Sequence, residues 1–264
     1  EVSIPKGEGK ERKLGVPTVI DRVAQDVIRQ ELELIVEPLF HPSSFGYRPG
    51  KSQHDAIEQC AKNCWERWYA VDIDIKGFFD HIDHDHMMRI LRKYTDKRHI
   101  LMYCERWLKV PAQTEDGENR NRIEGSPQGG AISPLLSNIF LHEVLDSWMQ
   151  QHHSIMVFER YADDIIIHTR SIEQSEFILD KVRERFRQYA LELNEQKTKT
   201  VYCYRTARFH KESKDVPVSF DFLGFTFKPR KCSRSDGQRF WGFRPSISMK
   251  NQKRIIGEIR KLAI

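Results

Sequence analysis

Two aspartates stand side by side in Tyr161-Ala162-Asp163-Asp164, between the apolar runs Val157-Phe158 and Ile165-Ile166-Ile167. Apolar run, short polar break and second apolar run read as two strands joined by a hairpin turn. Adjacent carboxylates repel, and holding them against a hydrophobic sheet is costly without a cation. A hard divalent ion that takes oxygen ligands, such as Mg²⁺, fits the pair. Asp is also an ordinary turn residue, and the dipeptide alone says no more than that. A second acidic strand changes the weight: Val71-Asp72-Ile73-Asp74-Ile75 alternates, putting Val71, Ile73 and Ile75 on one side and Asp72 and Asp74 on the other. If the two strands are neighbours, Asp74 faces Asp163 and Asp164. Three carboxylates from two strands suit two-metal, in-line phosphoryl transfer, in which one ion activates a hydroxyl and the other steadies the leaving oxygens.

The elements that must position these acids can be read from periodicity. Helices are expected from Thr18 to about Glu37, with Val19, Val23, Val27 and Ile28 on one face, and from His54 to about Trp65. Others are expected over His84 to Tyr94, Lys97 to Val110 and Pro134 to Met149. Ser171 and Gln174 open a further helix as a capping box. Strands are expected at Tyr69 to Ile75, Ile155 to Phe158, Ile165 to His168, Thr200 to Tyr204, Phe220 to Lys228 and Phe240 to Phe243. Asp116-Gly117 signals a hairpin between Gln113 and Ile123. Helices interspersed with antiparallel hairpins give an α+β class.

Composition limits the possibilities. The chain has 264 residues, 39% hydrophobic, enough for one large domain or two intimate lobes. No apolar run approaches the roughly 18–20 residues of a spanning helix, so no membrane is expected. Five cysteines, odd in number and without a CxxC pair, argue against a disulfide framework and for a cytoplasmic, intracellular setting. The net charge of +5 hides an asymmetry. Residues 225–264 hold eleven Lys or Arg against two acids, a net +9, and leave −4 for the rest. A basic end suggests a polyanion partner or, more plainly, a solvated face. The chain begins with Glu1 and ends inside an expected helix, as a piece of a longer protein would.

The residues also match a known family. Tyr161-Ala162-Asp163-Asp164 resembles the YxDD box of reverse transcriptases, in the form common in group II intron proteins. Further boxes follow in the family's order. Arg12-Lys13-Leu14-Gly15-Val16-Pro17 with Asp21-Arg22 resembles a fingers motif, and Ser44-Phe45-Gly46-Tyr47-Arg48-Pro49-Gly50 the next block. Asp74-Ile75-Lys76-Gly77-Phe78-Phe79-Asp80 resembles the first catalytic box. Gly125-Ser126-Pro127-Gln128-Gly129-Gly130 resembles a TPQGG box with Ser126 in place of Thr. Leu193-Asn194, Lys197-Thr198 and Phe222-Leu223-Gly224-Phe225 complete the set.

This resemblance implies a right-hand polymerase with an antiparallel palm sheet packed on helices. Fingers and palm would span 1–247, with fingers mainly 1–68 and 84–125 and palm mainly 69–83 and 126–247. A thumb helix would begin at 248–264. Asp74, Asp163 and Asp164, with the Ile75 carbonyl, would hold two Mg²⁺ ions, for which Mn²⁺ could substitute. Lys6 and Arg12 would grip the triphosphate. Gln128 and Gly129 would lie against the nucleotide, and Lys197 would temper the aspartates. Phe79 would lie under the sugar and exclude a 2′-hydroxyl; an ordinary core role is the other reading. Tyr161 and Ala162 support the motif. The implied function is RNA-directed DNA polymerisation: a DNA or RNA primer is extended with dNTPs on an RNA template, by a bacterial-type mobile element. Intron RNA and a second copy of the chain are further expected partners. Alternatives are an RNA-binding maturase that assists splicing, or a retron, diversity-generating or defence-type relative. With the thumb only begun, primer–template would be held weakly and activity would be low.

Three other features carry less. Asp80-His81-Ile82-Asp83-His84-Asp85-His86 reads as a turn and helix start, since its spacing matches no zinc signature. Cys60 and Cys64 share a helix face and could bind metal, but no second pair is evident. Trp65 and Trp68 could stack on bases, and are more ordinarily core or lobe-interface residues.

Overall fold

The computed structural model describes residues 2–7, 10–113, 117–204 and 215–262. β1 (Val2–Gly7) and β2 (Lys10–Leu14) form an antiparallel ribbon with Ile4 opposite Arg12. α1 (Val19–Val36) is capped by Thr18, whose hydroxyl accepts from the Asp21 amide at 3.1 Å. Its buried side is Gln25, Ile28, Leu32 and Val36, while Val19, Val23 and Val27 lie in solvent. The inner face is therefore rotated from the expected one. Gln25 explains the rotation: its Oε1 accepts from the Ala131 amide at 2.7 Å, and that polar anchor seats the helix.

α2 (Gln53–Glu66) opens on a Ser52/Asp55 capping box and leads into β3 (Tyr69–Ile73). α3 (His84–Tyr94) and α4 (Arg98–Lys109) follow. β4 (Ala112–Gln113) pairs with β5 (Asn119–Arg120), around the expected turn; Gly117 has φ 83°, and Asp116 lies outside the described residues. α5 (Ser133–Leu141) passes through a π turn, His142–Asp146, into α6 (Ser147–His152). The single helix expected there thus carries an inserted bulge, which five α-compatible residues do not announce.

β6 (Val157–Tyr161) and β7 (Asp164–Thr169) make the expected hairpin, with Tyr161 opposite Asp164. α7 (Ile172–Arg187) starts at Ser171, and β8 (Lys199–Tyr202) follows. β9 (Phe220–Phe222), β10 (Phe225–Ser233) and β11 (Arg239–Ile247) form a separate antiparallel sheet. α8 (Met249–Leu262) ends the described chain.

The main sheet has the order β6-β7-β3-β8, antiparallel throughout. Strand alternation splits its side chains between two cores. Val71, Ile73, Ile165 and Ile167 join a large core with residues of α1, α3, α4, α5 and α7. Ala70, Ile166 and Val201 face a second core with α2 and Phe220, Phe222, Phe227 and Phe243. The sheet is thus a middle layer in an α+β fold, and Asp72, Asp74 and Asp164 belong to its second face.

Candidate active site

The register of β3 on β7 brings the acids together. Ile73 pairs with Ile165, so the next position along, Asp74, comes opposite Asp164. Asp163 occupies the two-residue turn with Ala162, whose φ is 55°. Asp74 is fixed from its other side. Its amide donates to Thr198 Oγ1 at 3.3 Å, its carbonyl accepts from the Asn194 amide at 2.8 Å, and its Oδ2 accepts from Lys197 Nζ at 3.2 Å. The Leu193–Thr198 turn therefore holds Asp74 by backbone and by charge. Ile75, one residue on, is buried and bridges to Leu193.

The electrostatics of the cluster follow from crowding. Burial pushes Asp164 up to about 6, with Asp163 and Asp74 adding to the effect. One face of Asp164 is open to solvent; the protein packed beneath it is what opposes its charge. Asp72 is pushed up to about 7 by burial, with Asp164, Asp74 and Asp221 adding, although Lys199 Nζ lies 3.9 Å away and opposes the rise. Acids that resist ionising together, presenting oxygen only, are a donor set that fits a hard divalent cation.

A second group of residues holds the hairpin that carries the pair. Arg160, fully buried, spends every guanidinium N–H. It donates to Asp146 Oδ1 and Oδ2 at 2.8 and 2.6 Å, and to Asn138 Oδ1 at 2.9 Å. It also donates to Ser44 Oγ at 2.8 Å and to the Ala162 carbonyl at 3.1 Å. Burial works against the Asp146 charge, but Arg160 beside it more than offsets this and keeps Asp146 below the usual carboxylate value. The backbone of residues 43–45 runs along β6: the Arg160 amide donates to the Ser43 carbonyl at 2.9 Å, and the Phe45 amide to the Arg160 carbonyl at 2.8 Å. At Gly46 a Cβ would overlap the Ala162 amide, so the two backbones meet there only through glycine. Sequence reasoning missed this cluster. Its one legible signal is an arginine inside an apolar strand.

Phe79, Gln128 and Gly129 belong to segments joined by backbone hydrogen bonds. Phe79 lies in a 3₁₀ turn, Phe78–Asp80, half-buried and edge-on to Phe78 at 5.4 Å. Its carbonyl accepts from the Ser126 amide at 2.7 Å, which joins the first catalytic box to the Gly-rich box. Gln128 Nε2 donates to Asp80 Oδ1 at 2.9 Å, and its carbonyl accepts from the Gly15 amide at 2.7 Å. Gly129, at φ 114°, has no room for a Cβ against the Gly15 carbonyl. Tyr161 is half-buried, its ring 6.2 Å from that of Tyr47. Lys6 and Arg12 belong to the β1–β2 ribbon, and their side chains lie outside the described residues.

Residues 4–227 match the family described as reverse transcriptase (RNA-dependent DNA polymerase). Group II intron-encoded protein LtrA of Lactococcus lactis subsp. cremoris is 35% identical over 161 residues, covering 61% of this chain and 26% of that protein. Protein YkfC of Escherichia coli (strain K12) is 38% identical over 160 residues, covering 58% of this chain and 41% of its own length. The chain thus matches well under half the length of these relatives. Among solved structures, apo telomerase from Candida tropicalis superposes with a TM-score of 0.64 at 14% identity, over 86% of this chain and 46% of that one. No described helix is long and apolar enough to cross a membrane.

Proposed function

The chain belongs to the reverse transcriptase family and has the right-hand polymerase fold, and from that premise we propose that it is an RNA-directed DNA polymerase of the group II intron type. One observation carries the reading: the register of β3 on β7 sets Asp74 against the Asp163–Asp164 turn. On this reading the main sheet is the palm, the ribbon and the helices flanking it are the fingers, and α8 begins a thumb.

Asp74, Asp163 and Asp164, with the Ile75 carbonyl, would hold two divalent ions; the all-oxygen donor set favours Mg²⁺, with Mn²⁺ as a substitute. Bound there, such ions supply a lowered pKa for an attacking hydroxyl and charge relief for leaving oxygens. The chain does the rest by positioning. The primer 3′-hydroxyl attacks the α-phosphorus of a dNTP, and pyrophosphate leaves. Lys197, held on Asp74, keeps that carboxylate oriented and reduces the charge that a triphosphate meets. Phe79, fixed through Ser126, lies where a ribose 2′-hydroxyl would collide. Gln128 and Gly129 form the wall against which the nascent base pair rests, tied to Gly15 of the fingers. Lys6 and Arg12 would grip the triphosphate, a task that suits a point charge and a forked donor. RNA template and primer lie across the sheet, with the basic 225–264 stretch along their backbone.

Primer extension on an RNA template with dNTPs and Mg²⁺ tests this. Extension is expected from the chain, or from the chain continued through its native thumb, and Asp163→Asn should reduce it by at least about 10³-fold while RNA affinity holds. Activity retained in Asp163→Asn would remove the metal assignment. Tight binding of structured RNA without extension by either form would shift the reading to a splicing maturase.

A further inference from the structure

Three donors with no part in nucleotidyl transfer meet beneath α2. Cys60 and Cys64 lie one turn apart on that helix, and His168 projects from β7 on the sheet face it covers. Both sulfurs and one imidazole nitrogen lie within 4.8 Å of one another, and Cys64 Sγ is 4.0 Å from His168 Nδ1. All three side chains are fully buried. Cys203, just past β8 and also fully buried, shares a hydrogen bond with the Cys64 thiol. The far nitrogen of the imidazole is committed elsewhere: His168 Nε2 lies 2.6 Å from Glu159 Oε2, and the other Glu159 oxygen accepts from Asn63 Nδ2. We propose that Cys60, Cys64, His168 and Cys203 form a structural Zn²⁺ site, with Glu159 orienting the histidine.

The chemistry favours this metal and this role. Two or three thiolates and an imidazole are a soft-to-borderline set that takes Zn²⁺ and rejects Mg²⁺. Tetrahedral Zn–S and Zn–N bonds put neighbouring donor atoms roughly 3.5–3.8 Å apart. The three clustered donors therefore close by about 1 Å, the scale of a side-chain rotation, and Cys203, which lies outside that mutual 4.8 Å, closes further. A carboxylate on the second imidazole nitrogen is the usual partner of a zinc-bound histidine, because it fixes the ring and leaves the other lone pair for the metal. Here Nε2 lies against Glu159, and Nδ1 lies 4.0 Å from the Cys64 sulfur. Binding releases a proton from each coordinating thiol and from Nδ1 when that nitrogen carries one, so affinity rises with pH. Four protein donors leave no open position, which marks a structural centre rather than a catalytic one. The site would pin α2 to β7, the strand that carries Asp164 at its other end. It is independent of the polymerase reading.

The test uses the whole chain, produced in zinc-supplemented medium and dialysed against EDTA, with metal counted by mass spectrometry. One zinc per chain is expected. Chelator-stripped protein titrated with Co²⁺ should give, at one equivalent, a sulfur-to-cobalt charge-transfer band and tetrahedral visible absorption. Cys64→Ser and His168→Asn should lose both, and Cys104→Ser, a buried thiol outside the cluster, should keep them. Metal removal should lower the melting temperature by about 5 °C or more. If folded wild-type protein holds no zinc and gives no charge-transfer band, the site does not exist. Zinc that is present without that band, and is lost in Asp163→Asn, would place the metal on the carboxylates and equally overturn the proposal.

Discussion

At the scale of single residues, the balance between burial and like charge governs the site. Asp164 and Asp72 titrate at about 6 and about 7 in the folded chain, against 3.8 ordinarily. Their folded values are raised, so between pH 4 and 7 the folded chain holds protons that the unfolded chain has lost. The contribution of these two acids to stability is then fullest below about pH 4 and is lost as pH rises through about 7. In EDTA the melting temperature should drop between pH 5 and pH 8, and Mg²⁺ should restore it at pH 8. Asp164→Asn should flatten the pH dependence and shrink the Mg²⁺ effect; an unchanged slope in that variant would show that the acids are not in conflict. Phe79 offers a separate test. Phe79→Ala should raise ribonucleotide incorporation about tenfold, equivalent to about 1.4 kcal/mol of lost discrimination. Unaltered sugar selectivity in competition assays would return Phe79 to the core.

At the scale of elements, the Asp163–Asp164 hairpin is held from behind by an ion pair that excludes water. Arg160→Met leaves Asp146 buried with His142 Nδ1, 3.7 Å away, in place of its guanidinium, and should cost about 3–5 kcal/mol in denaturant unfolding. Arg160→Met with Asp146→Leu should recover most of that stability. It should still lower kcat, because the Ala162 carbonyl has lost its donor. Recovery of both would make the cluster merely structural. Gly46→Ala should impair extension at near-normal RNA affinity, since its Cβ displaces the turn. The sequence was uneven at this scale. Residues in contiguous boxes could be singled out, because Asp74, Gln128 and Lys197 each sit in a run that resembles a family motif. Arg160 was not, because its partners Ser44, Asn138 and Asp146 are scattered, and Asp146 reaches it from a π turn that reads as plain helix. The apolar pattern of α1 pointed to Val19, Val23 and Val27, whereas one hydrogen bond from the Ala131 amide to Gln25 selects another face. Cys60 and Cys64 were visible as a pair, but His168 and Cys203 come from strands that only the tertiary fold brings near.

At the scale of the whole molecule, charge is segregated. The acids cluster at one end of the sheet, and the 225–264 stretch carries the net +9 on β10, β11 and α8. RNA binding should weaken with salt at a log–log slope of about −0.7 per phosphate neutralised, so about −3 for four or five contacts. Lys253→Gln with Arg254→Gln should reduce the slope by about 1. A flat salt titration would separate the basic stretch from the nucleic acid. α8 also leaves Ile255, Ile256, Ile259 and Leu262 in solvent, a stripe that no described element covers.

The order of strands in the main sheet has a consequence for how the protein is made. β3 is an interior strand, yet neither neighbour is near it in the chain: Ile73 awaits Ile165, and Asp72 awaits Lys199. A nascent chain leaving the ribosome therefore carries Asp74 beside an unpaired, apolar strand until Ile165 and the rest of β7 have been made. Long-range pairing of this kind is slow and leaves strand edges open to wrong partners. Asp74 can meet Asp163 and Asp164 only once β7 has been made, so a chain stalled before Asp164 has β3 with no strand to pair with.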